Sequence, residues 1–306
     1  MNLLYYTAAD DGASWREAIA RELPEATLRT WPKSGAPADY ALVWRPPTAL
    51  LDELISARAV FNLGAGVDAV VGLSPWPAGV PLIRLEDAGM AEQMVEYVAY
   101  AVLRRYREFD VYEQAQRVAQ WRPRARLDKR AFAVGILGCG VLGIAVAEAL
   151  NALGFAVTAW SRSHKHLQGV RSYAQHELDA FLATCSVLVC MLPLTAQTRG
   201  LLTRSRLALL PKGAYVINVA RGALIVENDL LALVDADHLS GAMLDVFHDE
   251  PLARTHAFWH HARITVTPHI SAATRIDESV RQVAAKIRRL EAGLPVSGVV
   301  DAVHAY

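Results

Sequence analysis

Charge of one sign is what this sequence lacks: 31 Lys and Arg stand against 31 Asp and Glu in 306 residues. That balance excludes the basic footprint with which nucleic-acid-binding domains neutralise phosphates, though a local basic cluster can still hold a small anion. Cysteine is scarce. Cys139, Cys185 and Cys190 lie in apolar runs without CxxC spacing. They read as buried free thiols of a reducing compartment, not as a disulfide frame or a zinc site. No apolar run reaches the roughly 18 residues a membrane helix needs. The N-terminal MNLLYYTAADD has no basic start and reads as a first strand, not a targeting segment. A soluble cytoplasmic protein that holds no metal is expected.

What is present is globular: 53% hydrophobic and 20% charged residues, with length enough for two domains of about 100–200 residues each. Short apolar runs at residues 3–7, 40–44, 60–63 and 81–85 alternate with helical patterns at 15–21 and 50–57. A long helical stretch is expected over residues 90–118. A basic patch around Trp121 and Pro123 interrupts the pattern and suggests a domain boundary. Strands are then expected at 131–137, 156–160, 187–191, 215–219, 242–247 and 264–267, with a last helix over 276–292. Strands alternating with helices imply βαβ units and a doubly wound parallel sheet.

The run AFAVGIL leads into Gly138-Cys139-Gly140-Val141-Leu142-Gly143 and then a helical pattern. A lone GxGxxG is weak evidence, but strand before and helix after is the context a dinucleotide turn requires. Gly138 suits the tight turn, Gly140 a close pyrophosphate, and Gly143 the packing of helix on strand. The phosphates would face the uncapped N–H groups of Val141 and Leu142. The next strand ends in Trp160-Ser161-Arg162-Ser163. NAD sites usually place an acid there, about 20 residues past the glycines, for the ribose hydroxyls. Ser161 takes that place, with no acid beside it, and Arg162 offers a forked donor to a 2′-phosphate. NADP(H) is therefore expected over NAD(H).

Arg221, Glu250 and His269 each follow the C-terminal end of an expected strand, the edge where open α/β sheets bind ligands. Together they suit reduction of a keto acid. The Arg pairs with a carboxylate or polarises the carbonyl, the His gives a proton to the carbonyl oxygen, and the Glu fixes the imidazole. Singly, each has a bland alternative: a surface ion pair, a helix cap, a core histidine. His260 and His261 are adjacent, share no face, and read as surface loop residues.

The strings GILGCGVLG, VINVARGALIVENDLL, GAMLDVFHDEPL and TPHISAAT resemble the signatures of the D-2-hydroxyacid dehydrogenases, over about residues 63–273. WRPP, AGMAEQMVEYV and WSRSHK are similar to the glyoxylate/hydroxypyruvate reductase A type. The resemblance implies that Arg221, Glu250 and His269 are the catalytic three. It implies that Asp245 contacts the nicotinamide end and that Pro193 lies beside the cofactor. The loop from Leu63 to Asp68, with Ala65 and Gly66, would hold the substrate carboxylate, and Trp44 and Arg45 would line the pocket. It implies a flavodoxin-like substrate domain (1–98 with 280–306), a Rossmann cofactor domain (99–279), a cleft between them, and a homodimer. The implied activity is NADPH-dependent reduction of small 2-keto acids such as glyoxylate or hydroxypyruvate to D-2-hydroxy acids. The alternatives are a dinucleotide-sensing binding protein without catalysis and a dehydrogenase for a bulkier keto acid. The chain departs from the family pattern at Met90, where Asn is usual, and at Ser161, where Asp is usual.

Overall fold

The computed structural model describes residues 1–8, 12–33 and 35–301. It divides into two compact units, Met1–Met90 with Thr274–Tyr306, and Ala91–Ala273. The first unit contains β1 (Asn2–Thr7), α1 (Ala13–Glu22), β2 (Thr27–Thr30), β3 (Tyr40–Trp44), β4 (Ala59–Asn62), α2 (Asp68–Val71) and β5 (Leu82–Arg84). The strands form one parallel sheet in the order β2-β1-β3-β4-β5. This is the flavodoxin-like order, reversing between β1 and β3. Side chains alternate between sheet faces. Leu3, Tyr5, Leu42 and Phe61 pack on one face with Ile19 of α1 and with Val280 and Val283 of the helix over Ile276–Glu291. Leu4, Val43 and Val60 pack on the other with Leu50, Leu54 and Val70.

The second unit opens with α3 (Met90–Tyr106) and α4 (Phe109–Arg117). A parallel sheet of β6 (Ala133–Leu137), β7 (Ala156–Trp160), β8 (Val170–Tyr173), β9 (Val187–Cys190), β10 (Ala214–Asn218), β11 (Leu239–Leu244) and β12 (Ile264–Val266) follows. Between the strands lie α5 (Val141–Ala152), α6 (Leu178–Leu182), α7 (Arg204–Leu207) and α8 (Glu227–Asp235). The order β12-β11-β10-β9-β6-β7-β8 reverses between β6 and β9, the Rossmann arrangement. Central strands are buried on both faces, so β9 reads as an unbroken apolar run and β10 as one that ends in a buried Asn218.

Three local features differ from the sequence expectation. The single helix expected over 90–118 is two helices, parted at Glu108, which has a left-handed backbone (φ +55°). Residues 48–54 form a 3₁₀ helix. β2 and β8 lie at sheet edges. Their sequences, TLRT and VRSY, carry too little hydrophobic alternation to announce a strand. Among the described residues no helix is long and apolar enough to cross a membrane.

All three cysteines are buried and unpaired. Burial pushes the Cys185 and Cys190 thiols up to about 12 and that of Cys139 upward as well. Because the thiolate is the reactive form, the folded protein at pH 8 should resist a thiol-specific reagent, with all three sites reacting after denaturation. Rapid labelling of Cys139 in the native protein would show that the glycine turn opens.

Candidate active site

The glycine turn lies where the second sheet reverses. A Cβ on Gly138 (φ +113°) would come within 2.7 Å of the Met191 backbone, past the end of β9. A Cβ on Gly143 would lie 2.0 Å from the Gly138 carbonyl oxygen. Neither position admits a side chain, so β6, α5 and the segment after β9 meet backbone to backbone. Pro193 follows in that segment, its carbonyl held by the Thr198 hydroxyl at 2.7 Å. Gly140 is the N-cap of α5 and supplies no side-chain cap, and the first turn contains no acid. The N–H groups of Val141, Leu142 and Gly143 are left for an anion.

Beyond β7, the Ser161 N–H donates to the Tyr173 carbonyl at 3.1 Å, and its hydroxyl to the Ser163 carbonyl at 2.7 Å. Arg162 and Ser163 are exposed. The Arg162 guanidinium has no partner among the described residues. One carboxylate stands closer to this loop than the sequence suggested. Glu177 lies 3.4 Å from the His164 ring, but it accepts from the Ala174 N–H, which holds its carboxyl below the usual range. These residues fit a dinucleotide bearing a 2′-phosphate: a side-chain-free cradle, an uncapped helix start and an uncommitted guanidinium.

Arg221, Glu250 and His269 follow β10, β11 and β12, adjacent strands whose C-terminal ends share one edge. His269 Nδ1 lies 2.8 Å from Glu250 Oε2, and Glu250 Oε1 accepts from the Phe247 N–H at 3.0 Å. A carboxylate only accepts, so Nδ1 is the donor and Nε2 faces away from the pair. Arg221 donates to the Ala220 carbonyl at 2.7 Å. Its loop is shaped by buried Asn218, which donates to the Arg221 carbonyl at 3.0 Å and accepts from the Ala220 N–H at 3.1 Å. A Cβ on Gly222 would lie 1.9 Å from the Phe247 carbonyl carbon. The Arg221 turn thus packs directly on the chain that leads to Glu250.

His269 has a left-handed backbone (φ +56°), which costs a non-glycine residue about 1–3 kcal/mol. Asp245 holds it there. Its carboxylate, wholly buried, accepts from the Thr267 hydroxyl at 2.6 Å, the Ile270 N–H at 2.8 Å and the Ser271 N–H at 2.8 Å. The Asp245 carbonyl also accepts from the His269 N–H at 2.9 Å. Tyr97 of α3 completes the chain with a 2.6 Å bond to the Thr267 hydroxyl. Since that hydroxyl gives its one proton to Asp245, Tyr97 is the donor. The sequence pointed to Asp245 but not to Asn218, Thr267 or Tyr97. Asn218 was detectable as the one polar residue in VIN at a strand end, whereas nothing marks Tyr97 apart from other helical aromatics.

In the first unit, Trp44 ends β3 with Arg45 just after it, and the loop after β4 carries Ala65 and Gly66. The two strands are neighbours. Trp44 lies against Gly64, where a Cβ would come within 2.3 Å of its ring. The Arg45 guanidinium stacks 5.6 Å from the Trp44 ring centroid.

A Rossmann sheet with a phosphate cradle and a His–Glu pair beyond the same edge defines a nicotinamide-linked dehydrogenase. The model of the D-isomer specific 2-hydroxyacid dehydrogenase NAD-binding domain matches residues 99–271. The chain belongs to the D-isomer specific 2-hydroxyacid dehydrogenase family. It is 46% identical, over the full length of both chains, to the glyoxylate/hydroxypyruvate reductase A of Serratia proteamaculans. A D-isomer specific 2-hydroxyacid dehydrogenase from Xanthobacter autotrophicus Py2, solved with NADPH and MES, is 39% identical with a TM-score of 0.96, over 100% of this chain and 99% of that one. An NADPH-dependent glyoxylate/hydroxypyruvate reductase from Sinorhizobium meliloti, solved with NADP and sulfate, is 34% identical with a TM-score of 0.94 at the same coverage.

Thr267→Val removes the hydroxyl between Tyr97 and Asp245. It should lower kcat about tenfold, or roughly 1.4 kcal/mol of barrier, while NADPH affinity stays within about twofold. Steady-state kinetics beside fluorescence titration of NADPH will check this. Equal losses in both would assign the hydroxyl to folding alone.

Proposed function

We propose that this chain reduces small 2-keto acids, glyoxylate and hydroxypyruvate foremost, to D-2-hydroxy acids with NADPH. The observation that carries the reading is the His269–Glu250 pair, joined at 2.8 Å in the same unit as the glycine cradle. The turn from Gly138 to Gly143 would hold the pyrophosphate, Ser161, Arg162 and Ser163 the 2′-phosphate, and Pro193 the wall beside the dinucleotide. When bound, NADPH supplies the hydride. His269 holds the proton at Nε2 and gives it to the carbonyl oxygen as that oxygen gains charge. Glu250 keeps the ring oriented and complements the positive charge it carries. Arg221 pairs with the acceptor's carboxylate or polarises its carbonyl, and Trp44, Arg45, Ala65 and Gly66 are assigned to substrate contact. Asp245 acts on the nicotinamide end by fixing the segment that carries His269.

The homodimer and the cytoplasm belong to the same proposal. Every residue of α4 is at least partly exposed, and Phe109, Tyr112, Val118 and Trp121 expose apolar surface on it and just after it. A second copy would cover these groups. Three unpaired thiols suit a reducing compartment.

Turnover is followed as NADPH oxidation at 340 nm, with glyoxylate, hydroxypyruvate, pyruvate and phenylpyruvate compared; the small acids should be fastest. His269→Asn keeps a residue tolerant of positive φ but removes the acid. It should lose about 10²–10⁴-fold in turnover while still binding NADPH; undiminished turnover would refute the proton donor. Arg162→Ala should weaken NADPH about ten- to a hundredfold and NADH only slightly, since one charge-assisted contact is worth about 1.5–3 kcal/mol. Trp121→Glu should shift the protein from dimer to monomer in sedimentation velocity. An unchanged dimer would place the interface elsewhere.

A further inference from the structure

Asn62 ends β4 and is 1% exposed. Its side-chain nitrogen donates to two carbonyls of the following loop, that of Gly64 at 2.8 Å and that of Gly66 at 2.9 Å. The opposite amide orientation would set three oxygens together, so the donor assignment is fixed by chemistry. In a trans peptide the N–H points opposite the C=O. Drawing the Gly64 and Gly66 carbonyls onto one amide therefore turns the N–H groups of Ala65 and Val67 away from it, in a common direction. None of the N–H groups of Gly64, Ala65, Gly66 and Val67 has an acceptor among the described residues. Successive N–H groups turned the same way form an anion-binding concavity.

The second observation is a mismatch. Asn62 Oδ1 is buried and has no hydrogen-bond partner among the described residues. An apolar side chain of similar shape would remove that acceptor but would take the donor from the Gly64 and Gly66 carbonyls, so the amide is kept for its two donors, which fix the loop. The Trp44 ring against Gly64 closes the loop from the side, and no side chain can enter there.

We infer that Asn62 is a positioning residue that sets the loop N–H groups for the carboxylate of the 2-keto acid. This rests on the substrate class proposed above. Asn62 does not touch the substrate. It acts through the two carbonyls, so its loss weakens carboxylate binding more than it slows chemistry.

Asn62→Leu keeps the branched heavy-atom shape and removes both donors. It should raise KM for glyoxylate by about tenfold or more, with kcat within about threefold and NADPH affinity unchanged. Asn62→Ser, with one donor left, should fall between this variant and the parent. An unchanged KM in Asn62→Leu overturns the inference. A matched fall in kcat, NADPH affinity and melting temperature assigns Asn62 to folding and overturns it equally. If the parent protein reduces no 2-keto acid, the substrate reading fails separately. Oxalate binding to the NADPH-loaded protein, followed by calorimetry, then decides: binding by the parent and its loss in Asn62→Leu uphold the clamp, and equal or absent binding in both ends it.

Discussion

The buried carboxylate of Asp245 is the interaction on which the conformation of the His269 segment depends. Its three side-chain bonds reach Thr267, Ile270 and Ser271, which bracket His269. A hydrogen bond to an ionised group in a dry interior is worth about 1.5–3 kcal/mol, and one residue held at positive φ costs about 1–3 kcal/mol. Three such bonds outweigh one strained backbone, so His269 stays in a conformation its own sequence would not choose. The Glu250 contact then needs only to orient a ring whose backbone is already fixed.

The same device recurs at other strand ends. Asn218 closes β10 and shapes the Arg221 turn, as Asn62 closes β4 and shapes the loop after it. Each is a polar side chain buried at the exit of a parallel strand, where the ladder stops and the backbone needs new partners. Glycine completes the arrangement where two such loops approach, as at Gly222 against Phe247. The loops at these edges are therefore set by groups that the sheet itself holds in place.

Much of this was legible in the sequence because the signal is local. The glycine turn, the strands over residues 40–44 and 156–160, and the placement of Arg221, Glu250 and His269 just after three strands are short patterns whose meaning depends on near neighbours. Strand and helix alternation pointed to a doubly wound parallel sheet, and the family resemblance to its flavodoxin-like and Rossmann kinds. Of the four edge strands, β5 and β12 were legible but β2 and β8 were not, since a polar strand such as VRSY gains its order from its partner β7 rather than from its own pattern. The break at Glu108 was hidden because the apolar spacing continues across it. Tyr97 was hidden for a different reason: its role comes from a hydroxyl 170 residues away, and no periodicity records such a pairing.

Arg162 differs from the clamped groups above in having no partner among the described residues. Its exposed side chain has no part in the core, the caps or the strand-end clamps. Surface substitutions away from such features usually change stability by less than about 0.5 kcal/mol. In the function proposed above, preference for one dinucleotide over another is thus written on a part of the molecule that folding does not read. On that reading the chain could, over generations, exchange one reductant pool for another without disturbing the residues assigned to proton transfer, which makes coenzyme choice the most readily revised trait of this architecture.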